Sequence, residues 1–284
     1  MKKNIVWLAS YPKSGNTWFR IFLSNLRSEQ TAPIDINEIQ TNGIFSSKAI
    51  FEKATGVDAS NLTNRETDLL RPDVFRYYSN RMDSLLFIKA HDAYTYLSNQ
   101  QPIFPSNVSY GAIYFIRNPL DVAVSFAFHN GKTTEKAHLA LNKNTMLGKL
   151  NTYQNQLPQQ LLTWSNHVES WNTQEKIPIL ILRYEDMKSD TLNTFRKAVR
   201  FLGWNYSDEI IQLALEKSSF KKLKEQEIEK GFNERLKNQK QFFRSGQSGD
   251  WENHLTEEQV NSNHSHLRLQ DKNQFILNIF CDGS

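Results

Sequence analysis

The apolar positions of this chain fall into two rhythms. Four short unbroken runs stand out: Ile5-Val6-Trp7-Leu8-Ala9, Leu85-Leu86-Phe87-Ile88, Ala112-Ile113-Tyr114-Phe115-Ile116 and Ile179-Leu180-Ile181-Leu182. Runs of this length and character predict strands covered on both faces. Between them the apolar residues recur at helical spacing. The chain from Trp18 through Phe19, Phe22 and Leu23 predicts a helix that fades near Arg27-Ser28, and Pro119 opens another that reaches Asn130. Leu161, Leu162, Trp164, Val168 and Trp171 share one helical face. A further helix runs through Phe195, Val199 and Leu202 to a stop at Gly203, and Ser207-Asp208 caps one over Glu209–Lys217.

The remaining stretches are polar. Thr31 to Arg81 predicts loops with short helix faces at Ile50-Phe51-Ala54 and Leu69-Leu70-Val74-Phe75, and Gly131 to Gln160 predicts a loop able to act as a lid. Lys221 to Lys240 is charge-dense and predicts a solvated or mobile segment, and a closing helix is expected to hold Phe275, Ile276, Ile279 and Phe280. Buried strands alternating with helices predict an α/β fold, a central parallel sheet with helices on both faces. No linker divides the chain, so a single domain over 1–284 is expected. In such sheets ligands gather at the carboxyl ends of the strands. Here those ends carry Lys13, His91, Arg117 and Tyr184.

Composition narrows the partners. The net charge of +4, from 34 Lys+Arg and 30 Asp+Glu, is too small and too evenly spread to predict a nucleic-acid surface. The one cysteine, Cys281, allows no internal disulfide, which points to a reducing cytoplasm. No apolar run approaches the roughly 18 residues of a membrane span.

The first strand leads straight into Tyr11-Pro12-Lys13-Ser14-Gly15-Asn16-Thr17-Trp18. A strand, a tight turn and a helix start place unpaired backbone N–H groups and the positive end of a helix dipole beside a lysine. Such a loop suits a phosphate or a sulfate. It differs from the nucleoside-triphosphate loop G-x-x-x-x-G-K-[ST], because its lysine precedes a single glycine. No strand ends in a metal-holding aspartate, which disfavours an ATP-dependent kinase. That kinase is one alternative; a non-catalytic nucleotide-binding protein is another.

The loop resembles the 5′-phosphosulfate loop of the cytosolic-type sulfotransferases, Y-P-K-S-G-T-T-W. The resemblance extends over the chain in order. Ile88-Lys89-Ala90-His91 is similar to the family's K-T-H segment, Arg117-Asn118-Pro119 through Ser125 to its 3′-phosphate motif, Tyr184-Glu185-Asp186-Met187 to Y-E-D-[ML], and Phe243-Arg244-Ser245-Gly246 with Gly249-Asp250-Trp251 to R-K-G-x-x-G-D-W. It implies a P-loop-like sulfotransferase fold and 3′-phosphoadenosine 5′-phosphosulfate as donor, with no metal required. His91 would then be the base, with Lys13 and Lys89 as catalytic cations. Ser14, Gly15, Asn16 and Thr17 would hold the 5′-phosphate, and Arg117, Ser125, Arg244 and Gly246 the 3′-phosphate. Trp18 and Phe220 would enclose the adenine, with Tyr184 hydrogen-bonding near it. Taken singly, His91 is an ordinary structural histidine, Arg117 pairs with Asp121, Trp18 and Phe220 are core aromatics and Tyr184 stabilises a turn with Glu185 and Asp186; the strand-end position after Lys89 is what makes His91 the natural base.

Two departures stand out. Ser245 replaces the family's lysine, and the dimer motif K-x-x-x-T-V-x-x-x-E keeps only Thr256, with Glu252, Glu257 and Asn261 at its other positions. A monomer, or a dimer built otherwise, is expected. The acceptor is a small molecule of unspecified class. Phe45, Tyr94, Phe126, Phe128 and Tyr153 are candidate pocket aromatics, and Asp92 would favour a cationic acceptor.

Overall fold

Burial along a whole strand demands neighbours on both edges, and β1 (Ile5–Ser10) has them. In the computed structural model, which describes residues 2–131, 133–134, 141–147, 155–236 and 239–261, β1 pairs in parallel with β2 (Leu86–Ala90), from Ile5 opposite Leu86 to Ala9 opposite Ala90. β3 (Ser109–Ile116) lies on the other side of β1. A short antiparallel pair, β4 (Thr145–Leu147) and β5 (Gln159–Leu162), stands apart, and β6 (Ile179–Arg183) completes the sheet order β2-β1-β3-β6. The four expected strands are all present. β3 starts earlier than its apolar run because buried Ser109 accepts a hydrogen bond from the Trp7 indole at 2.7 Å.

The chain divides into two compact units, residues 1–11, 42–114 and 143–181, and residues 12–41, 115–142 and 182–284. The first holds an aromatic core in which Trp7 meets Phe75 and Phe104 edge-on, each at 4.8 Å, and Phe104 lies 4.8 Å from Trp171. Helix α1 (Asn16–Arg27) belongs to the second unit; α2 (Lys48–Thr55) and α3 (Asn64–Ser79) belong to the first. α3 is longer than its apolar face alone predicts, because Thr63 and Glu66 form a reciprocal capping box at its start. After α4 (Pro119–Asn130) comes α5 (Trp164–Asn172), where the expected helical face needs correcting. Leu161 and Leu162 lie in β5, since the Thr163 hydroxyl accepts the Asn166 N–H at 3.1 Å and starts the helix only at Trp164.

Two buried polar groups tie this unit together. Arg71 of α3 grips Asp92, just beyond β2, through two hydrogen bonds of 3.0 and 2.5 Å, and Asp92 also accepts the Gln160 N–H at 2.9 Å. His167 of α5 is fully buried and accepts the Tyr114 hydroxyl proton at Nδ1, 2.8 Å away. Burial lowers its pKa from the ordinary 6.5 to about 4, so the ring is neutral.

In the second unit α1 buries Phe19 and Phe22 against Phe195 of a helix over Thr191–Phe201. The Ser207 hydroxyl caps a helix over Asp208–Lys217, as expected. The charge-dense segment begins as a helix with a solvated face. Phe220–Lys230 is an ordered amphipathic helix whose Leu223 and Glu227 are buried. Its charges line the outer face, while the Glu227 carboxylate turns in to accept the Phe242 and Phe243 N–H groups at 2.6 and 2.9 Å. Much of the expected lid loop and all of the expected closing helix lie outside the described residues.

Arg71→Met should cost about 3–5 kcal/mol of unfolding free energy, because it leaves the Asp92 charge buried without its partner; urea unfolding measures this. His167 sets an acid limit. In the unfolded chain its ring takes a proton at 6.5, in the folded chain only at about 4. Stability is therefore full above pH 6.5 and falls as the pH drops toward 4, by roughly 2–3 kcal/mol. His167→Gln, which does not titrate, should flatten that part of a melting-temperature profile.

Candidate functional site

Pro12 and Gly15 break the chain after β1, and the break has an unusual shape. Lys13 has a φ of 76°, a left-handed conformation that costs a non-glycine residue of order 1 kcal/mol or more. Gly15, at 101°, forms the N-cap of α1, and no side chain caps that helix start. A Cβ on Gly15 would sit 2.9 Å from the Tyr184 ring, so glycine is required on both counts. Asn16 and Thr17 form the first turn of α1, beside the Ser14 hydroxyl, a buried oxygen with no hydrogen-bond partner. The Lys13 ammonium lies 4.2 Å over the Phe242 ring and 3.4 Å from His129 Nδ1. The loop thus joins a cation to unmet polar groups at the positive end of a helix.

Arg117, which follows β3, closes this loop from the side. Its Nη1 donates to the Lys13 carbonyl at 3.2 Å and its Nη2 to the Gln247 carbonyl at 2.9 Å. The guanidinium lies 4.3 Å over the Tyr184 ring and 3.8 Å from Asp121, so the expected Arg117–Asp121 pairing exists beside these contacts. Burial pushes the Tyr184 phenol upward, and it stays neutral. Asp121 in turn accepts the Gly249 and Trp251 N–H groups at 2.9 and 3.1 Å, which fastens the segment after Phe243 to α4. Ser125, eight residues after Arg117, is half-buried on α4.

The aromatic residues gather at the same unit. The Trp18 indole donates to the Ser218 carbonyl at 3.0 Å and meets Tyr184 edge-on at 6.2 Å. Phe220 opens its helix and covers Gly246, whose φ of 64° and absent side chain make room: a Cβ there would fall 2.3 Å from the ring. Arg244 is drawn onto Asp250 and lies 4.2 Å over Phe128, which makes Phe128 its support. The Arg117 Nε and the Ser245 hydroxyl are, like Ser14, buried polar atoms without partners. Buried donors of this kind are costly unless something fills them. A phosphate-rich ligand would satisfy all three.

Lys89 and His91 belong to the other unit. The Lys89 N–H bonds the Gly43 carbonyl at 2.8 Å, pinning the end of β2. His91 is buried to 9% exposure, with Nδ1 2.9 Å from the Ser10 carbonyl. A carbonyl only accepts, so the proton sits on Nδ1 and the basic lone pair on Nε2. Beside Lys89 lies a small cavity, about 10 Å³ and thus water-sized, walled by Trp7, Phe45, Phe75 and Phe104, with Ser46 and Gln159 offering buried oxygens that lack partners. Asp92 also lines it, but its carboxylate is engaged by Arg71, which removes the physical basis for a cationic acceptor. Tyr94 is buried beside Phe104 and Trp171, Phe126 is half-buried on α4, and Tyr153 lies outside the described residues.

Sequence reading puts His129 among the surface histidines, which its place beside Lys13 corrects, and singles out neither Lys188 nor His167. His129 sits against Lys13, Lys188 lies 5.4 Å over Trp18 with its pKa lowered by burial, and His167 donates from Nε2 to the His91 carbonyl at 3.1 Å. The only local signal was helical spacing: His129 falls four residues after Ser125, and Lys188 four after Tyr184.

Known proteins share this arrangement of sequence. The sulfotransferase domain family's sequence profile matches residues 3–273. Mouse sulfotransferase 2A1 is 31% identical over 264 residues, covering 90% of this chain and 80% of its own length, and mouse sulfotransferase 2A2 is 30% identical over 263 residues with the same coverage. Firefly (Photinus pyralis) luciferin sulfotransferase is 26% identical over 272 residues, 89% of this chain and 68% of its own. Among solved structures, mouse sulfotransferase SULT7A1 complexed with PAP superposes with a TM-score of 0.65 at 20% identity, over 100% of this chain and 90% of its own. A retinol dehydratase in complex with androsterone and PAP gives 0.61 at 21%, over 95% and 82%. The fold is that of these enzymes, and the chain belongs to the sulfotransferase family.

Proposed function

We propose that this chain moves a sulfuryl group from 3′-phosphoadenosine 5′-phosphosulfate to a hydroxyl or amine of a small molecule. The observation that carries the reading is the loop over 12–17, with a left-handed lysine, an uncapped helix start and a buried serine hydroxyl lacking a partner. Its unmet donors suit a 5′-phosphate. Arg117, Ser125, Arg244 and Gly246 would hold the 3′-phosphate, and Trp18 and Phe220 the adenine, with Tyr184 beside it.

The donor supplies an activated sulfuryl group. The residues of this chain bind, orient and move protons. Lys13 places a positive charge where the leaving phosphate oxygen becomes negative, and preorganised charge of this kind acts on the transition state more than on the ground state. Lys89 offers a second cation for the sulfuryl oxygens. His91, with its proton on Nδ1, accepts the acceptor's proton at Nε2 as the new bond forms. No metal is assigned a role. We infer a cytoplasmic enzyme, with Cys281 left reduced, that binds neither nucleic acid nor membrane. It acts as a monomer or through a dimer that does not use the family motif.

Adenosine 3′,5′-bisphosphate should raise the melting temperature, by an amount equivalent to about 2.7 kcal/mol at one hundred times its Kd. MgATP should not, and a shift with MgATP together with phosphoryl transfer would establish the kinase instead. Arg117→Leu should lose most of the nucleotide shift. Lys13→Ala and His91→Ala should leave the fold intact and lower kcat, the latter by roughly 10²–10⁴; near wild-type turnover in His91→Ala removes its role as base.

A further inference from the structure

His167 is an unusual choice for its position. It is completely buried, stacked at 5.7 Å on Tyr114 and met edge-on by Tyr11 at 5.4 Å. A leucine or phenylalanine would fill that space without the cost of burying an imidazole. Both ring nitrogens are instead used, and in one direction. Tyr114 can only donate to Nδ1 once Nε2 carries the proton, and Nε2–H then points at the His91 carbonyl.

We propose that His167 and Tyr114 are positioning residues for His91: the chain Tyr114 O–H to His167 Nδ1, and His167 Nε2–H to the His91 carbonyl, fixes the His91 peptide so that its ring keeps Nδ1 on the Ser10 carbonyl and Nε2 basic. This rests on the reading of His91 as the base. The distances along the chain are 2.8, 3.1 and 2.9 Å, each in the range of a full hydrogen bond. The neighbouring residue is held as firmly, since Asp92 is gripped by Arg71 at its side chain and by the Trp171 indole, 3.0 Å away, at its carbonyl. The peptide that carries His91 is therefore locked on both sides. His167 and Tyr114 act on the ring through its backbone, while the Ser10 carbonyl holds the imidazole directly at Nδ1. Small errors in such orientation are costly, because a displacement near 1 Å can cost about 10²-fold in rate.

The test compares His167→Leu, which fills the space but makes neither bond, with His167→Gln, whose amide can donate to the His91 carbonyl and accept from Tyr114. His167→Leu should lower kcat roughly 10- to 100-fold with the KM for the sulfuryl donor unchanged, and His167→Gln should restore most of it. Equal losses in the two variants, or wild-type kcat in His167→Leu, would overturn the proposal. Tyr114→Phe gives a second route should His167→Leu fail to fold; its kcat should also fall, and an unchanged kcat would count against the chain. A readout independent of turnover comes from long-range 15N–1H spectra of the His91 ring. The wild type should show the Nδ1–H tautomer alone, and the His167→Leu or Tyr114→Phe protein a mixture. A single tautomer in all of them overturns the positioning role even where His91 proves to be the base. An active His91→Ala protein, by contrast, removes the base reading and leaves the tautomer result to judge the positioning.

Discussion

One guanidinium organises the anion-binding unit. Arg117 donates to the carbonyls of Lys13 and Gln247, covers the Tyr184 ring and stands beside Asp121, which itself holds two backbone N–H groups of the following segment. Four stretches far apart in sequence meet at this side chain. An arginine suits the place because its planar fork of donors can serve several acceptors at once and keeps its charge at any physiological pH. A lysine, with a point charge in place of a planar fork, could not reach both carbonyls while lying flat over the Tyr184 ring. The left-handed turn at Lys13 survives its backbone cost because Arg117 holds its carbonyl from outside the loop.

The other unit follows a parallel plan with a different chemistry. Arg71 and Asp92 neutralise one another where neither could remain singly charged, and His167 is kept neutral by burial. Together they stiffen the turn that carries His91. The anion-binding unit directs its positive charge at oxygens, whereas this one removes charge so that a single imidazole lone pair stays basic. Unmet polar atoms are found in both: Ser14, Arg117 and Ser245 around the loop, and Ser46 and Gln159 in the aromatic cavity. In a folded protein such atoms are the exception, and each is a position where a ligand oxygen or a water can supply the missing bond.

Much of this was legible from sequence. The four buried strands and the turn after the first one were written in unbroken apolar runs and a Pro/Gly break, signals that depend only on neighbours in the chain. The glycines at positions 15 and 246 could be recognised as turn residues, but why they must lack a side chain could not: the rings that would collide, Tyr184 and Phe220, arrive from 169 residues later and 26 residues earlier. The Leu161-Leu162 pair fits helical spacing equally well, and only the Thr163 cap and the pairing with β4 assign it to a strand.

Local pattern by itself determined which segments are strands, which are helices, and that an anion would be welcomed after β1, because hydrophobic period and turn chemistry act over a few residues. The partners of the charged and titrating side chains were decided only by the tertiary structure. Asp92 looked available for a cation until Arg71, 21 residues away, was seen to occupy it. Nothing in the neighbours of His167 along the chain marks it; the fold puts the Tyr114 hydroxyl and the His91 carbonyl at its two nitrogens. A charge or a lone pair takes its meaning from what lies within about 3 Å, and the fold, rather than the order of residues, sets that distance.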